Sequence, residues 1–165
     1  MTGQMTMLTA IGAATREPAR TLSSLTATVV SISVLHEGRI RVVTATRGVV
    51  KDVPRMQPFD ELPPTHAAGQ LLLVAAGSLG GEAPSGVSDE EWRQARATFA
   101  RPGNLVIDRQ QVLTGVCCVA APVRRPSGEP NASISAISLT PSVPAGLAEL
   151  VQRASREITR NLALG

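Results

Sequence analysis

The thiol of Cys118 and the hydroxyls of Ser133 and Ser135 stand within one short segment, Asp108 to Pro141, DRQQVLTGVCCVAAPVRRPSGEPNASISAISLTP. Cys118, Ser133 and Ser135 could together bond a small polar ligand. A nucleophilic thiol would also need a base beside it, and His36 and His66 are the only histidines. His36 falls in an expected turn and His66 at an expected helix start, so cysteine catalysis is not expected. Nor is a metal: two His and two back-to-back Cys do not make up the roughly four ligands of a zinc site. The candidates are ligand-binding residues; no catalytic residue and no cofactor is expected.

A hairpin must position these groups. Arg125-Pro126-Ser127-Gly128 has Pro second and Gly fourth, the order that a type I turn favours. Closed by that turn, the hairpin sets Val116 opposite Ile137, Cys118 opposite Ser135 and Ala120 opposite Ser133. Side chains alternate across a sheet, so these six share one face. That face mixes small, polar and apolar groups, as the floor of a small-molecule pocket does. The other face carries Cys117, Val119, Ala121 and Val123 with Ala132, Ile134 and Ala136, and reads as core.

The remaining chain supplies walls. Residues 1–25 form a helical segment in which Pro18 predicts two short helices and a bend. Ala27 to Leu35 and Arg39 to Thr46 read as strands around the turn His36-Glu37-Gly38, and Val49 to Met56 as a third strand, ended by Pro54 and Pro58. Leu62-Pro63-Pro64-Thr65 leads into a short buried helix over His66 to Ala76, so Thr65 and His66 are placed at the pocket mouth. The loop from Ser78 to Gly86 is glycine-rich without a nucleotide-cradle spacing. Ser88-Asp89-Glu90-Glu91 is a capping box opening a helix anchored by Trp92, and Ala145 to Leu162 is an amphipathic helix. This order of elements predicts an α+β fold, an antiparallel sheet with helices packed on it.

Composition narrows the function classes. The chain has 165 residues, 43% hydrophobic and 18% charged, which suits a single folded domain. A net charge of +3 without a basic run, and only Phe59, Trp92 and Phe99 as aromatics, argue against nucleic-acid binding by this chain alone. Adjacent cysteines cannot readily bond each other, which points to a reducing cytoplasm. No apolar run approaches a membrane span.

The run Gly115-Val116-Cys117-Cys118-Val119-Ala120-Ala121-Pro122-Val123, then Ser127-Gly128 and Ala132-Ser133-Ile134-Ser135, resembles the "Gv.CiAaPV…G…AalS" signature of one family. That is the effector-binding domain of IclR-type bacterial transcription regulators, whose fold is GAF-like. The resemblance spans about residues 8–165 and implies an effector-binding domain over 26–165, after the helical segment at 1–25, with no winged helix-turn-helix in the chain. It implies a small effector, an organic acid or aromatic metabolite, and self-association as a dimer or tetramer. DNA would be reached only through a helix-turn-helix domain outside this chain. It implies that Val116, Cys118, Ser135 and Ile137 hold the ligand, with backbone amides near Pro58 and Thr65; the hairpin face and the helix start add Ala120, Ser133, Thr65 and His66 to the ligand-binding set.

The chain also departs from the family pattern. Ile137 replaces a second serine, Gln111 an acidic residue, and Gly69-Gln70 a Gly-Lys pair, which points to a more apolar effector. The alternative is a ligand-free dimerisation module, a remnant of such a regulator.

Overall fold

A computed structural model describes residues 2–53, 55–77 and 81–165, without the side chains of residues 2 and 4. The elements run α1 (Thr2–Thr26), β1 (Val29–His36), β2 (Arg39–Thr46), β3 (Glu61–Leu62), α2 (Ala67–Ala76), α3 (Asp89–Phe99), β4 (Val106–Arg109), β5 (Cys117–Arg124), β6 (Pro130–Ser138) and α4 (Leu147–Leu164). The strands form one antiparallel sheet in the order β3-β2-β1-β6-β5-β4. Helices cover both of its faces, so the fold is α+β with the sheet as the middle layer.

Alternation along each strand decides what each face receives. Val30, Ile32, Val34, Val119, Ala121, Val123, Ala132, Ile134 and Ala136 make an aliphatic face, packed under α1 and α4. Ile40, Val42, Val106, Cys118 and Ala120 lie on the opposite face, beneath α2 and α3. Trp92 of α3 is buried in this second cluster. The capping box of α3 is closed in both directions, Glu91 N to Ser88 Oγ at 3.2 Å and Ser88 N to Glu91 Oε2 at 2.8 Å.

Four expectations are corrected. The first concerns α1, which is one helix with Pro18 inside it rather than two with a bend. Proline removes the N–H that would bond the carbonyl four residues back. That carbonyl, Ala14 O, instead accepts Asn161 Nδ2 from α4 at 3.2 Å. The second concerns 49–56, which form no strand among the described residues; the strand that follows β2 is the short β3 further on, and Pro54 lies outside the description. The third is β4, absent from the expected order, which pairs along β5.

The fourth is the hairpin register. Cys118 faces Ile137, not Ser135; Ala120 faces Ser135, not Ser133; and Ser133 faces Pro122. The expected turn does close, with Gly128 N on Arg125 O at 2.8 Å. Gly128 then sits at φ 92, and Arg125 N bonds Glu129 O at 2.8 Å, which adds one residue to β6. A type I turn has the wrong twist for a hairpin, and such a bulge restores it. A second irregularity at Val123/Arg124 passes over Asn131 and adds another. Two steps preserve the alternation, so the six residues keep their common face although Cys118, Ala120, Ser133, Ser135 and Ile137 each have a new partner. Of the glycine-rich loop, residues 78–80 lie outside the described residues.

Candidate functional site

The face beneath α2 can be read as rows across the sheet. One row runs Asp108, Cys118, Ile137, Val29; the next Val106, Ala120, Ser135, Ser31, Ala45; the third Pro122, Ser133, Ser33, Val42. Four serines therefore form a square, two from β6 and two from β1, and all are fully buried. Ser31 Oγ and Ser135 Oγ bond each other at 2.7 Å. The hydroxyls of Ser33 and Ser133 have no protein partner. Burying an unbonded hydroxyl costs about 1–3 kcal/mol, so Ser33→Ala and Ser133→Ala are each expected to raise stability by about that amount in urea unfolding. A fall in stability would mean that these hydroxyls are satisfied.

Towards the end where β1 begins and β6 finishes, the packing opens into a hollow of about 390 Å³. Val29, Val53, Met56, Leu62, Leu113, Val116, Ile137 and Leu139 give it an apolar lining, with Arg55, Asp60 and Glu61 as its charged members. Two loops build the mouth. In the first, Gln110 takes φ 64, accepts Gly115 N at 2.8 Å and donates to Pro141 O at 2.8 Å. That bracket holds the loop bearing Leu113 against the segment after β6 that bears Leu139. In the second, the turn over 57–60 is fixed to β2 by Phe59 N on Val42 O at 2.8 Å and Val42 N on Asp60 O at 2.9 Å. Glu61 is paired with Arg39 at 2.9 Å and Arg41 at 3.5 Å.

The candidate residues separate accordingly. Val116 and Ile137 line the hollow. Cys118, Ala120, Ser133 and Ser135 lie deeper, buried beneath α2. Thr65 is half-buried, and its carbonyl accepts Gln70 Nε2 at 3.0 Å. The backbone amide at Phe59 is bonded within the protein and does not point to a ligand.

His66 is the N-cap of α2, its Nδ1 accepting Ala68 N at 3.2 Å. The lone pair on Nδ1 is thereby engaged, so the neutral ring carries its proton on Nε2, which lies 4.0 Å from Cys118 Sγ. Burial lowers the His66 pKa to about 4. Burial also pushes the Cys118 thiol up, with the Asp108 carboxylate adding to it. The imidazole thus donates towards a protonated sulfur instead of taking its proton. This pair positions α2 over the sheet and is not arranged as nucleophile and base.

Asp108, beside Cys118 in its row, is the group that sequence reasoning missed. Its residue is 3% exposed, and its Oδ1 accepts Gln111 N at 2.7 Å. Burial raises its pKa, while the backbone N–H groups of Gln111 and Val112 oppose that rise. Recognising β4 as a strand would have placed it on this face. Ser31 and Ser33 could likewise have been found from the alternation of β1. Among the described residues no three His, Cys, Asp or Glu side chains are gathered as metal ligands. No described helix is long and apolar enough to cross a membrane.

A six-stranded antiparallel sheet with helices on both faces and a hollow at one end defines an α+β fold. Comparison with solved structures narrows this to the fold of the effector-binding half of IclR-type regulators. An IclR homolog from Microbacterium hydrocarbonoxydans, solved in complex with 4-hydroxybenzoate, superposes with a TM-score of 0.82 over 96% of this chain and 70% of its own, at 18% identity. The Thermotoga maritima IclR gives 0.74 over 92% of this chain and 68% of its own, at 14% identity. The C-terminal domain of the E. coli transcriptional regulator KdgR gives 0.71 over 93% and 98%, at 18% identity. No protein-family model and no curated protein matches the sequence.

Proposed function

We propose that this chain is the ligand-sensing domain of an IclR-type transcription regulator. It takes a small, largely apolar organic acid or aromatic metabolite into the hollow between Val29, Val116, Ile137 and Leu139. The domain is non-enzymatic and cytoplasmic, associates with copies of itself, and controls DNA binding by a separate domain. The observation that carries this reading is the apolar hollow of about 390 Å³, large enough for a single-ring ligand, at the end of the serine face. The 4-hydroxybenzoate complex of a protein with the same fold supports the ligand class. Ligand binding acts on the regulator by favouring one arrangement of the assembly, in proportion to its differential affinity.

A thermal-shift screen of aromatic carboxylates, beginning with 4-hydroxybenzoate, tests the proposal. A ligand at 100 times its Kd adds about 2.7 kcal/mol, a rise of roughly 5–10 °C for a domain of this size. Ile137→Trp and Val116→Trp, which fill the hollow, are expected to abolish that rise. A rise that persists in both variants would contradict the assignment.

The closure of α2 over Cys118, Ala120, Ser133 and Ser135 favours a second reading, a ligand-free dimerisation module. Under it the screen yields no ligand, and neither tryptophan variant alters self-association.

A further inference from the structure

We propose that a second hollow, walled by Leu8, Gly12, Val34, Val43 and Phe59, binds a small neutral aromatic molecule of the phenol class. It measures about 230 Å³ and lies between the first turns of α1 and the far end of the β1–β2 hairpin. It shares no lining residue with the hollow at Ile137. The turn over 57–60 stands between the two, since Phe59 lines the one and Asp60 the other.

Two of the walls stand against their local preference. Gly12 is inside α1, where glycine is a poor helix former. Packing does not demand it, because a Cβ at Gly12 would meet nothing within 4 Å. The glycine thus leaves open a space that a side chain would enter. Phe59 takes φ 72, a region that bulky residues rarely adopt. It is held there by its N–H on Val42 O at 2.8 Å and by Arg41 Nη1, which donates to its carbonyl at 3.3 Å. The outcome is a phenyl ring 67% exposed at the mouth of the hollow, where its face can meet another ring.

The polar members of the lining set the ligand's charge. Arg41 is already engaged by Glu61 at 3.5 Å and by Phe59 O, so its guanidinium is not free for a carboxylate. The Thr9 hydroxyl donates to Met5 O at 2.8 Å. His36 makes no side-chain hydrogen bond among the described residues, and an imidazole nitrogen can bond a single hydroxyl. An apolar cavity of about 150 Å³ accepts benzene, so this hollow suits one ring bearing one hydroxyl.

A methyl-resolved NMR titration of the whole chain with phenol tests the site. Saturable shifts at the methyls of Leu8, Val34 and Val43 are expected, with a Kd at or below about 1 mM. Benzoate is expected to shift them about tenfold more weakly. Gly12→Leu, which fills the hollow, and Phe59→Gly, which removes the ring and suits the left-handed backbone, are each expected to weaken phenol binding about tenfold or more. Both substitutions agree with the local backbone, and thermal melting is expected to show each variant folded. Unsaturable or absent shifts, shifts at Val116 and Ile137 alone, or undiminished binding by both variants would overturn the site. Shifts of the same three methyls on diluting the chain without phenol would show that a second copy fills the hollow, and would overturn it too.

Discussion

Acidified from neutrality to about pH 4, the chain is expected to lose on the order of 3 kcal/mol of stability through His66. The folded ring resists protonation until about pH 4 because it is buried beneath α2. In the unfolded chain an ordinary imidazole takes up its proton near pH 6.5. Between those values the unfolded state binds more protons, so stability is fully present above about 6.5 and drains away as the pH falls to about 4. Protonation also removes the Nδ1 lone pair that caps α2. Asp108, with its raised pKa, contributes a slope of opposite sign, so the informative quantity is the difference from His66→Asn. Asparagine can still cap the helix but does not titrate. Urea unfolding at several pH values is expected to show the decline in the unaltered chain and a flatter curve in the variant. Parallel curves would mean that His66 titrates equally in both states.

Leu71→Ala is expected to cost about 3 kcal/mol, within the usual range for emptying a buried leucine site. Leu71 is fully buried in α2, in the cluster with Trp92, Val106 and Ala120. The helix that carries it covers the serine square, so its loss loosens the lid over Cys118 and Ser135. The melting temperature should fall by roughly 6–12 °C. Leu25→Ala, at a site 68% exposed, should leave it nearly unchanged. A loss below about 1 kcal/mol for Leu71→Ala would show that α2 contributes little to the packing.

The parts that were legible in the sequence are those whose cause is local. The box at Ser88, the amphipathic stripe of α4, the turn at Glu37-Gly38 and the two faces of the β5–β6 hairpin all depend on residues a few positions apart. The parts that were not legible depend on partners far along the chain. Pro18 stays inside α1 because Asn161 reaches Ala14 O. The four residues of β4 become a strand only against β5. The hairpin register rests on two bulges that a turn rule does not count.

At the candidate site, alternation gave the common face of Val116, Cys118, Ala120, Ser133, Ser135 and Ile137. It did not give the placement of α2, which leaves only Val116 and Ile137 on the open hollow.

The most direct test is a methyl-resolved NMR titration of the chain with the strongest aromatic carboxylate from the thermal-shift screen. The hollow assigned here requires saturable shifts at the methyls of Val29, Val116, Ile137 and Leu139, while Ile32 and Ile134 beneath α1 and α4 stay still. Saturable shifts confined to the aliphatic face, with those four methyls unmoved, would contradict it.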